Sequence, residues 1–341
     1  MDRGAYELIG KVYKRVADRE PWLEDAKPLT QIGVLLVDDQ RTTNVFGSTR
    51  EGVTRMLTQL KHQFDIILPK TNWKKYELII LPDVARLDSG LCKKLDAYIR
   101  GGGSVLATGY SGFEENSMQL IWKSLPVVSH GVSPFTTTYM RFGKSIREDV
   151  PDSDHVLYDT TIRVTPANGA KSLGSVVEPY FERTWEHFSS HAQTPGDKPS
   201  RYSLAVLRGK IAYIAAPVFG SFAKNGNYPL RLLVRNVIQL LMPEPLLRLD
   251  APTTTEATVM RQKNRTIVHV LQYAPERRTD KLDIVEDIVP LYSVPLSLRS
   301  RKSPKRVYLA PEGDPIEFEH LAGRVNLQVP RVQGHAMVVF E

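Results

Sequence analysis

Hydrophobic positions take two textures along the 341 residues, and the change comes near Asp250. Ahead of it, short unbroken apolar runs alternate with segments of helical period. Ile32-Gly-Val-Leu-Leu-Val37 is a continuous apolar run, the mark of a strand buried on both faces, and Phe64 to Leu68, Leu78 to Leu81 and Val105-Leu-Ala-Thr108 are further short apolar strands. Val53, Met56, Leu57 and Leu60 recur at i, i+3, i+4 and i+7, which predicts a helix. Leu91, Leu95, Tyr98 and Ile99 form the inner face of another. Asp88 or Ser89 can cap that helix, and Gly101-Gly-Gly103 ends it. Strands and helices alternating at this spacing predict a doubly wound parallel sheet with right-handed crossovers. A hairpin comes next, Ser203 to Leu207 and Ile211 to Ala215, turning at Arg208-Gly-Lys210. A helix then runs from about Pro229 to Met242, with Pro in its first turn. Pro243 and Pro245 stop it and mark a domain boundary.

The chain opens on another amphipathic helix, in which Tyr6, Ile9, Val12, Tyr13 and Val16 share a face that needs a cover. Beyond Asp250 the runs shorten. Thr258–Met260, Arg265–Tyr273, Pro290–Leu298, Val307–Leu309, Ile316–Glu319, Val325–Val329 and Met337–Phe340 read as strands separated by turns, the texture of a β-sandwich. The expected organisation is a leading helix and linker over 1–28, an α/β domain over 29–245 and a sandwich over 246–341.

Hydrophobic residues at 42% and charged residues at 24% are ordinary for a globular protein. The net charge of +7 is spread along the chain, without the aromatic interleaving that nucleic-acid binding asks for, so no nucleic-acid partner is expected. Arg299-Ser-Arg-Lys-Ser-Pro-Lys-Arg306 is locally basic. It reads as a solvated loop, with a phosphate or anionic-glycan contact as the alternative. Cys92 is the single cysteine, so no internal disulfide forms, which fits a reducing cytoplasm. No stretch approaches the ~18 apolar residues of a membrane helix, and the first residues lack a signal-peptide core. The expectation is a cytoplasmic protein with no membrane partner.

A parallel sheet places ligands at the carboxyl ends of its strands. The candidates there are Asp38, Asp39, Asp83 and the loop Gly109-Tyr-Ser-Gly-Phe-Glu-Glu115. That loop is not a nucleophile elbow, because Phe113 stands where the final glycine belongs. Ser111 with His130 is the one nucleophile–base pair available to a hydrolase on this sheet. Gly101–Gly103 follows a helix and precedes a strand, the reverse of the dinucleotide fingerprint, and no cofactor is expected. The densest polar–aromatic segment is Glu178 to Pro195. His187 and His191, at i and i+4, could chelate a metal on a helix, but no third ligand is specified and no metal is expected. Trp185, Glu186, His187, His191 and Gln193 together supply an aromatic plane and polar groups for a sugar. The alternative is a contact loop between domains or subunits, held by buried hydrogen bonds. The turn Lys224 to Tyr228 could lie nearby.

The strand ending at Thr108 gives the sheet a resemblance to the glutamine-amidotransferase-like fold, with Gly109 where that family has its nucleophilic Cys; Cys92 lies on the preceding helix instead and reads as an inert core thiol. Tyr76-Glu-Leu-Ile-Ile-Leu-Pro-Asp83, Leu95-Asp-Ala-Tyr-Ile-Arg-Gly-Gly-Gly103 and Thr108-Gly-Tyr-Ser-Gly112 are similar to the trimerisation domain of β-galactosidase-type glycoside hydrolases. Glu178–Pro195 and Arg265–Arg278, continuing through Ile284–Tyr292, resemble a bacterial subgroup related to α-L-fucosidases. The resemblance runs from Tyr6 over essentially the whole chain. It implies an α/β fold, an amidotransferase-like doubly wound parallel sheet followed by a C-terminal antiparallel β-sandwich. It also implies that the first helix is the last one of a catalytic barrel. That barrel needs ~250 residues, which do not precede Tyr6 here, so no catalytic residue carries over. The role this resemblance implies is that of a non-catalytic assembly and substrate-cleft part of a glycoside hydrolase, homotrimeric and acting with an upstream or separate barrel. Tyr6, Ile9, Tyr13 and Val16 would dock the barrel, and the Trp185 loop would wall its cleft against carbohydrate. A stand-alone sugar-binding module and a hydrolase built on the sheet are the alternatives.

Overall fold

The computed structural model describes residues 3–37, 43–114, 117–191 and 193–341; Asp38, Asp39 and Glu115, three of the strand-end candidates, lie outside the described residues. Contacts divide the chain into two compact units. One holds Gln31–Leu57 and Phe64–Glu244, the other Met1–Thr30, Thr58–Gln63 and Pro245–Glu341.

In the first unit the apolar runs become strands β1 (Ile32–Leu35), β2 (Phe64–Ile67), β3 (Leu78–Leu81) and β4 (Ser104–Thr108). They are followed by β5 (Thr138–Phe142), β6 (His155–Leu157), β7 (Lys171–Pro179), β8 (Gly196–Arg208) and β9 (Ile211–Ile214). Among the described residues these form one sheet in the order β2-β1-β3-β4-β9-β8-β7-β5-β6. Neighbours from β2 to β9 run parallel. From β9 onward every pair is antiparallel. The parallel half and the hairpin of β8 and β9 are as expected; β5, β6 and β7 are an addition that the apolar runs did not announce. β1, β3 and β4 are buried along their whole length, as their unbroken apolar character requires.

Helices α2 (Thr43–Gln59), α3 (Ser89–Arg100), α4 (Val218–Asn225) and α5 (Tyr228–Leu241) belong to this unit over its residues, and α1 (Arg3–Ala17) belongs to the other. Asp88 caps α3, its carboxylate accepting from the Leu91 amide at 2.7 Å. Leu91 and Leu95 turn inward from α3 onto Val105, Ala107 and the fully buried Trp122. The Trp122 indole donates to Asp96 at 2.8 Å, so its one polar atom is satisfied. α5 starts on Pro229 and buries Leu230, Leu233, Val234, Val237 and Ile238.

In the second unit the sandwich strands are β10 (Leu247–Leu249), β11 (Thr255–Gln262), β12 (Arg265–Gln272), β13 (Leu291–Arg299), β14 (Val307–Ala310), β15 (Phe318–Leu321), β16 (Arg324–Val332) and β17 (Gly334–Phe340). One sheet runs β11-β12-β17-β14, with Lys27–Pro28 added beside β11; the other runs β10-β13-β16-β15. Val259, Val268, Val270 and Val338 from the first meet Val294, Leu296, Val325 and Val329 from the second in one core. The short segment Thr58–Gln63 is tied to this unit by its side chains. Lys61 Nζ donates to the Pro252 and Thr255 carbonyls at 2.8 and 2.5 Å. Gln63 accepts from the Val259 amide and donates to the Ala257 carbonyl. Among the described residues no helix is long and apolar enough to cross a membrane.

Gly52 lies where α2 meets α4, and a Cβ there would run into the Phe219 carbonyl. In an ordinary helix Gly→Ala gains up to about 1 kcal/mol. Here Gly52→Ala is expected to reverse that sign and lower stability by about 2 kcal/mol or more, as overpacking does. Urea unfolding checks it, and a stabilised variant would contradict the close contact.

Candidate functional site

The carboxyl end of the parallel strands is organised around Asp83, which follows β3 and Pro82 in a left-handed backbone conformation at φ 44°. Its carboxylate is 1% exposed. Oδ1 accepts from the Thr108 hydroxyl at 2.7 Å and the Phe219 amide at 3.4 Å. Oδ2 accepts from the Gly220 amide at 2.7 Å and the Thr49 hydroxyl at 3.3 Å. Thr108 in turn accepts from the Asp83 amide at 2.8 Å. One side chain thus joins the ends of β3 and β4, a turn of α2 and the start of α4. Burial pushes its pKa up to about 6, against the four donors that pull it down.

Gly109 sits next to this node with φ 54°. A Cβ there would stand 2.9 Å from the Asp83 carbonyl oxygen and 3.1 Å from Pro217 Cα, so a nucleophile could not be seated without moving backbone. Ser111 is fully buried. It donates to the Leu81 carbonyl at 3.0 Å and accepts from the Ala85 amide at 3.1 Å. His130 is bonded instead to Thr165 at 2.9 Å. The Ser111–His130 pair is therefore not assembled: the hydroxyl is a tie within a turn. Cys92 is half-buried against the core, and burial pushes its thiol pKa up, away from the reactive thiolate.

The segment between Pro179 and Gly196 joins β7 to β8 as an extended, non-helical loop, so the helical spacing of His187 and His191 has no helix to act on. Its base is fixed. Glu182 accepts from the Thr136 amide at 3.0 Å and from its hydroxyl, and Tyr139 donates to the Thr194 carbonyl at 2.6 Å. Its tip is not covered: Trp185 is 90% exposed, and Glu186, His187 and His191 are exposed. Thr184 and His187 exchange hydrogen bonds across the turn. The His187 ring lies 5.9 Å from Phe181. Trp185 and Gln193 line one cleft of about 420 Å³ with Phe181, Glu182 and Arg183; Glu186, His187 and His191 do not line it. Gln193 accepts from the Tyr158 hydroxyl at 3.3 Å. The turn Lys224–Tyr228 lies between α4 and α5, and Asn227 reaches the Val156 carbonyl.

On α1, Tyr6, Ile9, Tyr13 and Val16 are 48 to 73% exposed, so the apolar face predicted from the sequence has no cover among the described residues. A pair that sequence patterning does not single out is His269 on β12 and His335 on β17. Their rings stack at 5.3 Å with Nδ1 of one 3.1 Å from Nε2 of the other. Burial lowers the pKa of both, that of His335 to about 4, with repulsion from His269, Arg19 and Arg15 acting the same way. The two are 66 positions apart, so only strand pairing brings them together.

Residues 54–215 match the family described as beta-galactosidase trimerisation domain. The structure superposes on alpha-L-fucosidase isoenzyme 2 from Paenibacillus thiaminolyticus with a TM-score of 0.94 and 31% identity, over 100% of this chain and 53% of that one. A GH42 β-galactosidase from G. stearothermophilus shares the fold with a TM-score of 0.60 and 12% identity, over 99% of this chain and 44% of that one. The β-galactosidase of Bacillus circulans sp. alkalophilus does so at 0.58 and 13%, over 93% and 42%. No curated protein sequence matches the chain significantly. Residues 54–215 therefore belong to the β-galactosidase trimerisation domains, and the chain is related to glycoside hydrolases of the GH42 and α-L-fucosidase type. It spans about half the length of the structures it matches.

Asp83 has a folded pKa near 6, above its unfolded value. The folded state therefore holds the proton more tightly, and the group's contribution to stability rises as pH falls from about 6 towards 4. Asp83→Asn removes that gain and mismatches one donor. Its destabilisation is expected to be larger at pH 4.5 than at pH 7 when urea unfolding of variant and parent is compared. A cost that shrinks on acidification would refute the raised pKa.

Proposed function

We propose that this chain is the assembly and cleft-walling part of a glycoside hydrolase of the GH42 or α-L-fucosidase type, acting with a catalytic barrel as a homotrimer. The observation that carries the reading is the match to the Paenibacillus fucosidase, which runs over all of this chain and only 53% of the relative. The catalytic carboxylates of such an enzyme lie at strand ends of a barrel. Asp83, the buried strand-end carboxylate among the described residues, has its lone pairs taken by the protein's own donors.

Two surfaces support the assignment of roles. The Trp185 loop presents an exposed aromatic plane beside Gln193, with Glu186, His187 and His191 on the same loop, the mixture a sugar ring contacts. Large exposed aromatics of this kind are enriched at interfaces. The face of α1 formed by Tyr6, Ile9, Tyr13 and Val16 takes the barrel, which suits an apolar stripe left uncovered. The amidotransferase-like reading of the parallel half-sheet rests on the positive φ of Gly109 after β4, the backbone state of a nucleophile position that here has no room for a side chain. The division into leading helix, trimerisation domain and sandwich at about residues 28 and 245 belongs to the same reading, as does a cytoplasmic setting for a chain with one unpaired cysteine.

The chain alone is expected to show no turnover of p-nitrophenyl α-L-fucoside or β-galactoside, and light scattering to give three chain masses. Fucose or galactose at millimolar concentration should quench Trp emission in the parent and not in Trp185→Phe. A monomer would refute the assembly role, and hydrolysis by the isolated chain would refute the non-catalytic one.

A further inference from the structure

We propose that the sandwich carries a second binding site, for an acidic polysaccharide, distinct from the Trp185 loop. The site is a cleft of about 1120 Å³ at one end of the sandwich. One wall is the tight turn Lys263-Asn264 between β11 and β12, where Lys263 takes φ 49°. The other is the loop Ser300–Lys305, which leads from β13 towards β14. The floor is Leu298, Val325 and Phe340, each at most 5% exposed and part of the sandwich core. The walls therefore stand on packed strands.

The charge in this cleft is one-sided. Lys263, Arg301, Lys302 and Lys305 are exposed and, among the described residues, make no ion pair or side-chain hydrogen bond, and Arg261 adds a further cation. The acid on the lining, Glu341, is already engaged by Arg306 at 3.0 Å and Arg265 at 3.6 Å. Its single charge offsets one of those two arginines, and Lys263, Arg301, Lys302 and Lys305 have no acid beside them among the described residues. Like charges gathered around a concave surface raise its potential and draw in anions. Guanidinium and ammonium groups supply the donors that carboxylates and sulfates accept.

The shape and lining choose among anions. The cleft exceeds the ~300–1,000 Å³ of a drug-sized ligand's pocket, which favours an oligomer over a single phosphate. Single-stranded nucleic acid would want aromatic platforms for its bases. The one aromatic in the lining, Phe340, is buried in the core. A membrane surface would want exposed apolar side chains among the cations, and the apolar lining here is closed off. A chain of pyranoses bearing uronate carboxylates or sulfate esters needs only what the cleft offers: spaced cations along an open groove. The site adds to the assembly role proposed above and does not depend on it.

The test is affinity electrophoresis of the full chain in gels holding polygalacturonate, dextran sulfate or neutral dextran, confirmed by titration. One or both charged polymers should retard it, and which one does identifies carboxylate or sulfate as the recognised group; neutral dextran should not. The triple variant Lys263→Ser, Arg301→Ser, Lys302→Ser should lose about 10-fold in affinity, about 1.4 kcal/mol. The variant Lys70→Ser, Lys74→Ser, Lys93→Ser removes the same charge elsewhere and should stay within 2-fold. All six positions are exposed, so thermal unfolding should match the parent. Equal losses in both triples would reduce the effect to net charge and overturn the proposal. So would single-stranded DNA binding as tightly as the polysaccharide, or no retardation by either charged polymer.

Discussion

The α/β unit turns on one buried carboxylate. Taking a charge out of water costs several kcal/mol unless donors replace the solvent. Asp83 meets that requirement with two hydroxyls and two helix-start amides drawn from three separate stretches of chain. Each donor comes at its own constraint. Thr108 has to end its strand beside Asp83, α4 has to begin with its amides pointing at the carboxylate, and α2 has to present Thr49. The close passage of Gly52 past Phe219 and the lack of room at Gly109 are consequences of the same convergence. Removing the carboxylate would leave buried donors without a partner, which is why the position is more constraining than an apolar contact of equal area.

That convergence also decides what the sheet is free to do. In open α/β sheets the carboxyl ends of the strands are where ligands bind, because backbone donors and helix starts are available there. Here the helix-start amides of Phe219 and Gly220 are occupied by Asp83, and the Ser111 hydroxyl is occupied by Leu81 and Ala85. These strand-end groups, among the described residues, hold the fold. Polar and aromatic side chains with unfilled valences are found instead on the β7–β8 loop and at the end of the sandwich.

The parts of this structure legible in the sequence are those set by local patterning. Unbroken apolar runs at Ile32, Leu78 and Val105 mark strands covered on both faces, and these became β1, β3 and β4. Pro229 and Asp88 mark helix starts, and they open α5 and cap α3. The antiparallel half of the sheet was legible only at the hairpin of β8 and β9. Thr138–Phe142 alternates in burial, but only Met140 and Phe142 of its buried positions are apolar and Tyr139 between them is apolar too, so the sequence shows no clean alternation; in Lys171–Pro179 buried and exposed positions mix irregularly, with register shifts along β7 and β8. The Asp83 node was half legible. An acid after a strand and a Pro invites a functional reading; its partners at Thr49, Thr108 and Phe219 are separated by 34, 25 and 136 positions and only the fold assembles them. The stacked pair His269 and His335 was hidden for the same reason.

The two open surfaces differ in the physics they use, and the difference bears on how they could work together. A sugar ring held against Trp185, as proposed, would be bound by dispersion and by hydrogen bonds of fixed direction, forces that act over contact distances and set geometry. The cleft lined by Lys263, Arg301, Lys302 and Lys305 acts through charge, which reaches about 8–10 Å at physiological salt and is weak in directional demand. The first suits a position beside reacting atoms, where a misplacement of about 1 Å is costly. The second suits retention of a long, repeating and mobile anion, where many equivalent placements add to the residence time. In a trimer the cationic cleft would occur three times over. Weak contacts of this kind then gain by effective concentration what each lacks alone, provided that one polymer can span two clefts. Assembly and charge would then act in the same direction, a trimer supplying the valency that a single cleft lacks.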